Sequence, residues 1–403
     1  MLAAAALLLA VQGPSWSPLF DGKTLDAFEK KGGAATFKVE HGEIVGSTAP
    51  NTTNTFLCTK KVYGDFELEF DVNVDPDLNS GVQIRSHAVP GYKNGVVFGY
   101  QVEIDPSTRG YSGGLYDESR RGWLQDLSKN EKGRMAFKNG QWNHYRVLAV
   151  GSHIQIWVNG VQTTDYNDDV DSFGFIGLQV HAVGDRKDPI EVRWRNLRIR
   201  DMGVPGAVAP KGATVLLGGA SDVSKWKKAG TESDPIGWTW HDGYLEVTPR
   251  SGSIQTKQTY GTCKLHVEFM VDDNGMTGQA NGNSGVYLQG RYEVQVLNSA
   301  GQEPANNICG AIYGVKAEDY NMSFPAYQWQ TYDIQFTAPV WKDGNKVSSA
   351  RFTVYHNGTL VHKNVEVTGP TGSGQAETMD AGGLLLQDHG NRIKFRNVWI
   401  LPR

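Results

Sequence analysis

Cysteine is scarce: Cys58, Cys263 and Cys309 are all that 403 residues contain. That number excludes a disulfide framework and leaves open only a single bridge such as Cys263–Cys309. No cysteine directly follows the apolar N-terminal run, so a lipoprotein anchor is not expected. Basic residues are not in excess either, with 39 Lys and Arg against 43 Asp and Glu and a net charge of -4. A chain without a basic footprint is not expected to bind nucleic acid. Long apolar runs are missing too. The opening "MLAAAALLLAVQG" has the length of a signal-peptide core and is too short to span a bilayer. It lacks a basic leading segment. Residues 1–16 are nonetheless read as a signal segment, which makes the chain secreted or periplasmic. The alternative is a cytosolic protein with an apolar N-terminus. No membrane anchor is expected.

Several catalytic signatures are also absent. There is no His-Glu-x-x-His or His-x-x-x-His pair, so a zincin is not expected. No Gly-x-Ser-x-Gly elbow occurs. "DPDLNSG" (75–81) starts like a calcium loop, but its glycine comes one place late and Ser86 stands where a Glu is needed. A plain polar turn is the simpler reading. Few windows show a helical period.

What the chain has in abundance is glycine, 48 residues, together with 11 Trp, 16 Tyr and 15 Phe. This composition favours many short strands joined by tight turns. "FELEFDV", "HYRVLAV", "HIQIWVNG" and "EVRWRNLRI" alternate apolar and polar residues, the period of a half-buried strand. "VNG" and "HNG" supply hairpin turns, because Asn-Gly tolerates positive φ.

The chain also repeats itself. "NSGVQIR" (79–85) answers to "NSGVYLQ" (283–289), and "GYQVEID" (99–105) to "RYEVQVL" (291–297). "GGLYDE" (113–118) answers to "GAIYGV" (310–315), and "QWNHYRV" (141–147) to "QWQTYDI" (328–334). "IGLQVH" (176–181) is echoed by "LLLQDH" (384–389). Echoes in one order imply a duplicated domain. The first copy is placed at 17–202 and the second at 214–403. The Pro, Gly and Ala of "GVPGAVAPKGA" (203–213) form a linker between them. The fold class expected is all-β, two tandem antiparallel sandwiches of jelly-roll type.

Alternation sorts these strands by face. Val82, Ile84, Val102, Ile104, Ile176, Leu178 and Val180 fall on the core side. Gln83, Arg85, Gln101, Glu103, Asp105, Gln179 and His181 fall on the other. In the second copy Val286, Leu288, Val294 and Val296 are core. Tyr287, Gln289, Glu293, Gln295, Gln387 and His389 share the polar side. Amides, a carboxylate and a histidine on one face point to a concave surface for polyhydroxyl ligands. The plainer alternative is a polar sheet face with ordinary cross-strand pairs.

These segments, with "CGAIYGV", "VYHNGTLV", "GGLLLQDHGNRIKFRNVWI" and "GGLYDESRRGWL", resemble the 3-keto-disaccharide hydrolase family over nearly all of the chain after residue 17. The resemblance implies a concanavalin-like jelly roll in each copy with the active site on the concave face. It implies action on sugars oxidised at carbon 3, by hydrolysis or by elimination. The ketone acidifies the proton on carbon 2, so a carboxylate or imidazole can remove it. Arg, Gln or a metal ion would stabilise the oxyanion. Glu103 and His181 become the candidate base and acid of the first copy, with Arg85 as clamp. Glu293 and His389 take those places in the second. Gln83, Gln101, Asp105, Gln179, Tyr287, Gln289, Gln295 and Gln387 would bind substrate, Trp123 would stack on a sugar ring, and Asp388 would orient His389.

A small carbohydrate is therefore the expected partner. No cofactor is required by the pattern, and a divalent metal held by His and Glu stays open with its ligands unassigned. Where Glu103 stands, the second copy has Gln295, and its carboxylate moves two places to Glu293. A non-catalytic carbohydrate-binding or adhesion protein, or one catalytic and one binding copy, is the competing class. "DESRRGW" (117–123) reads either as a loop serving the site or as Arg120 and Arg121 pairing with Asp117 and Glu118 at the surface.

Overall fold

In the strand Asn143–Val150 every second side chain is buried, and the intervening ones reach outward. The Asp65–Val74 strand beside it behaves alike, with Leu68, Phe70, Val72 and Val74 in the core. Each strand can bury only one face, so two sheets must close on each other to form a core. The computed structural model describes residues 15–204, 207–232 and 235–403, and their regular secondary structure is almost entirely strand. Residues 1–14 of the expected signal segment, and 205–206 of the expected linker, lie outside the described residues.

The chain divides into two compact units. One comprises residues up to 87 with 97–205, the other 88–96 with 206–403. Among the described residues, the first unit pairs an eight-stranded antiparallel sheet with a seven-stranded one. The seven-stranded sheet runs Gly122–Gln125, Leu115–Glu118, Val97–Ile104, Ser80–Ala88, Phe175–Val180, Thr55–Thr59, Phe28–Gly32. Its core side carries Val82, Ile84, Val102, Ile104, Ile176, Leu178 and Val180, as alternation requires.

In the second unit an eight-stranded sheet faces a five-stranded one, again counted over the described residues. The shorter sheet runs Trp226–Lys228, Ile254–Thr256, Leu385–Leu386, Ser284–Leu288, Tyr292–Val296. Val286, Leu288, Val294 and Val296 are buried in it. The class is all-β, built from antiparallel jelly-roll sandwiches, as the strand periods imply. No helix of the described residues is long and apolar enough to cross a membrane. All three cysteines are free and buried, so the Cys263–Cys309 bridge is not made. "DPDLNSG" is a plain turn, closed by Asp75 accepting from the Asp77 amide at 2.9 Å.

One departure from alternation matters for the site. Arg85 takes a left-handed φ of 46°, and the pairing with the Phe175–Val180 strand slips there. Such a bulge reverses which face a side chain meets. Gln289, its counterpart, has a φ of 57°.

Candidate active site

The seven-stranded sheet turns its other face to a cleft of about 290 Å³. Asn54, Asn79, Gln101, Glu103, Arg109, Tyr116, Glu118, Trp123 and His181 line it. Glu103 is 4% exposed. Asn79 donates to its Oε1 at 2.8 Å and Gln101 to its Oε2 at 2.9 Å. An Arg109 nitrogen stands 3.7 Å from Oε1. Burial pushes the Glu103 carboxyl up, the two amide donors and Arg109 pull it back, and Asp105 adds repulsion; the balance is about 7. A carboxyl poised near neutrality suits general-base work.

The Leu115–Glu118 strand forms one wall. Gln101 pairs with Tyr116 and Gly99 with Glu118, so Tyr116 and Glu118 share the cleft side. Burial raises the Glu118 carboxyl above its ordinary value, against the Ser119 hydroxyl, the His181 ring and the Asn54 amide, which all favour its charged form. His181 comes from the opposite wall, its Nδ1 2.8 Å from the Ala182 carbonyl oxygen. Trp123 packs edge-to-face on Tyr111 and Tyr116. The Arg109 guanidinium lies over the rings of Tyr111 and Trp123 at 5.0 and 5.3 Å.

The structure thus brings Gln101, Glu103, Trp123 and His181 together and takes other expected contacts away. Arg85 is not a substrate clamp. Its bulge turns the side chain inward, where it is fully buried and donates to the carbonyls of Gly64 at 2.8 Å and Gly151 at 2.7 Å and to Asp65 at 3.0 Å. Gln83 and Gln179 have no exposed surface and cannot touch a substrate. Asp105 lies just past the strand end and anchors a loop, accepting from Arg109 at 2.9 Å and from the Ser107 and Tyr111 amides. Arg120 and Arg121 both pair with Asp117, and further with Asp171 and Asp168 respectively. Glu118 escapes that network into the cleft.

Five cleft residues were missed in the sequence: Asn54, Asn79, Arg109, Tyr116 and Glu118. Period-two reading of "LYDE" would have put Glu118 beside Tyr116. The loop residue Arg109 carries no periodic signal.

The second copy is arranged differently. Glu293 is 3% exposed, and burial pushes it up to about 7 against the hydrogen bond from Tyr287. Gln387 donates to the Tyr287 hydroxyl at 3.1 Å, and Gln295 to Gln279 at 3.0 Å. A loop lies close over Glu293: a Cβ on Gly372 would fall 2.1 Å from its Oε2. Gln289 faces inward, donating to the Tyr260 carbonyl and accepting from Arg291. His389 is exposed past the strand end. Asp388 does not orient it, because its carboxylate accepts from the Gly252 and Gly390 amides, each at 2.9 Å. The Glu118 place is taken by Val315.

Among the described residues no group of three or more His, Cys, Asp or Glu side chains is placed to hold a metal. A larger cavity, about 710 Å³, lies against the other sheet of the first unit, lined by Trp16, Asp71, His144 and Arg198 among others. Of its acids, Asp71 pairs with His144 at 2.9 Å, Glu69 with Arg198 at 2.7 Å, and Asp21 accepts from the Lys23 and Thr24 amides. The smaller cleft, with the buried Glu103, is the candidate site.

Residues 15–200 and again 212–401 match the family described as the 3-keto-alpha-glucoside-1,2-lyase-like domain. The chain belongs to that family, twice over. Membership places it among carbohydrate-active, glycoside-acting proteins. Similar solved structures include a candidate glycosyl hydrolase from Parabacteroides distasonis ATCC 8503, 35% identical, covering 49% of this chain and 86% of that one with a TM-score of 0.46. A second candidate glycosyl hydrolase from the same organism is 20% identical and covers 47% of this chain and 94% of its own, with a TM-score of 0.33. A carbohydrate binding module from Bacillus subtilis is 14% identical and covers 43% of this chain and 94% of its own, with a TM-score of 0.30. No curated protein matches the chain.

Proposed function

We propose that the first copy cleaves 3-keto-glycosides in the Glu103 cleft. One observation carries the reading: a buried carboxyl near neutrality, held by two amides, shares that cleft with Arg109, Glu118 and His181. Glu103 takes the carbon 2 proton, and the C–H electrons pass into an enolate whose oxygen is the former ketone oxygen. Arg109, in the place first expected of Arg85, supplies positive charge to that oxygen. The enolate electrons then form the carbon 1–carbon 2 double bond as the glycosidic C–O bond breaks. His181 or Glu118 delivers a proton to the departing oxygen. The products are an unsaturated 3-keto sugar and the free aglycone. Addition of water across the new double bond makes the net reaction a hydrolysis.

The second copy lacks counterparts of Glu103 and Glu118, so cleavage is assigned to the first. The apolar N-terminal run supports action outside the cytoplasm; cell fractionation checks that. The decisive assay incubates the purified chain with 3-keto-glycosides and with their unoxidised parents and follows aglycone release. Release from the keto substrates is expected. Release from neither favours the binding-protein reading, and release from the parents alone favours an ordinary glycosidase.

A further inference from the structure

Three glutamines meet on the cleft face of the first copy, and two of them are wholly buried. Gln83 donates to Gln101 Oε1 at 2.6 Å, and Gln179 donates to the same oxygen at 3.0 Å. An oxygen that accepts two N–H groups fixes which way its amide points. Turned over, Gln101 would set its own NH₂ against both donors. Its nitrogen is therefore committed to Glu103 Oε2, at 2.9 Å. With its nitrogen on Gln101, Gln83 turns its oxygen to the Ser86 hydroxyl, 2.8 Å away. Asn79 holds the other Glu103 oxygen at 2.8 Å. Gly81 leaves the room this requires: a Cβ there would lie 2.5 Å from Gln101 Cδ.

We propose that Gln101 is a positioning residue, the end of a buried amide relay through Ser86, Gln83 and Gln179 that fixes Glu103 as an oriented hydrogen-bond acceptor in the cleft. The role rests on the reading of Glu103 as the base. Sequence reasoning had assigned all three glutamines to substrate hydroxyls, which burial forbids for Gln83 and Gln179. The relay members do not titrate, so the orientation holds across the working pH range. Titratable and charged groups do face Glu103 from every side. Asp105 and Arg109 follow it in the chain, Tyr116 and Glu118 come from the adjoining strand, and His181 from the far wall. Tyr145, from the opposite sheet, donates to its backbone carbonyl at 3.3 Å. Of these, Arg109 opposes the rise that burial imposes, as the Gln101 and Asn79 donors do. The second copy has no such relay, since a carboxylate, Glu293, occupies the Gln101 place and an amide, Gln295, the Glu103 place.

The test uses the full chain carrying Gln101→Met, Gln101→Glu or Gln83→Met. Glu103 is titrated by carboxyl ¹³C NMR, identified by its loss in Glu103→Gln, and the pH profile of 3-keto-glycoside cleavage is recorded alongside. Both Gln101 variants are expected to raise the Glu103 midpoint by about one unit or more. The acid limb of kcat/KM should rise with it, while KM stays nearly constant. Gln83→Met should move both in the same direction by less. Gln101→Glu still offers oxygens to Gln83 and Gln179, so it serves if the Met variant does not fold. An unmoved Glu103 titration with a raised KM overturns the proposal and makes Gln101 a substrate contact. A moved titration in a chain that cleaves nothing supports the relay and overturns the assigned reaction alone.

Discussion

Glu103 combines a cost in stability with a gain in chemistry. Its carboxyl is raised from 4.5 to about 7 chiefly by burial. A base must be unprotonated, so kcat/KM is expected to climb as pH rises through about 7 and level off above it. The linkage to folding has the opposite sign. The folded chain holds this proton more tightly than the unfolded one, so the contribution of Glu103 to stability falls as pH rises from 4.5 to about 7. Glu103→Gln should remove that fall, which a comparison of melting temperatures across this range will show. The same substitution should lower kcat by about 10²–10⁴-fold, the usual worth of a general base. Gly81→Ala reaches the same carboxylate indirectly, because the new methyl displaces Gln101; activity should drop while the fold survives, as circular dichroism would confirm.

Strands explain which of these residues could be seen in advance. Period two placed Gln101, Glu103 and His181 on one face, and the pleat obeys it wherever pairing is regular. It failed at Arg85, where a single left-handed residue reverses the parity, and no residue type in "QIRS" announces that bulge. It also stopped short at Asp105 and His389, which lie just past the ends of their strands. Arg109 sits on a loop, where no period operates. Breaking the Arg85 cluster should be costly. Arg85→Met strands the Gly64 and Gly151 carbonyls and Asp65, an expected loss of about 3–5 kcal/mol measured by denaturant titration.

A second buried cluster sits in the eight-stranded sheet of the second unit. Burial alone would lower the His266 ring, but Asp333 at 3.0 Å and Glu268 at 3.6 Å raise it from 6.5 to about 9. A raised folded value means the stabilisation is complete below 6.5 and is lost as pH rises through about 9. The unfolding transition of that unit should weaken over this window, and His266→Gln should flatten the dependence.

At the scale of the whole molecule, the duplication was the plainest signal in the sequence, because echoes in one order survive even where individual residues change. What each copy does was less legible. Copy one places Glu103, Glu118, Arg109 and Trp123 around an open cleft, whereas copy two sets Glu293 beneath the loop that carries Gly372. Glu103→Gln is accordingly expected to lower cleavage by the full chain by the general-base factor of about 10²–10⁴, and Glu293→Gln to leave kcat close to wild type in a steady-state assay. Equal losses from both would assign catalysis to both copies.

The exchange of carboxylate and amide between the two copies has a geometric consequence. Glu293 occupies the Gln101 place, two residues from that of Glu103, so its strand origin is offset by about 7 Å along the sheet. That distance exceeds the width of a pyranose ring. A sugar seated identically in both sandwiches would show its carbon 2 to one carboxylate and a different edge to the other. Tandem duplication has thereby given one polypeptide two rulers set to different marks, and the second can shift its regiochemistry, or abandon catalysis for recognition, without disturbing the first.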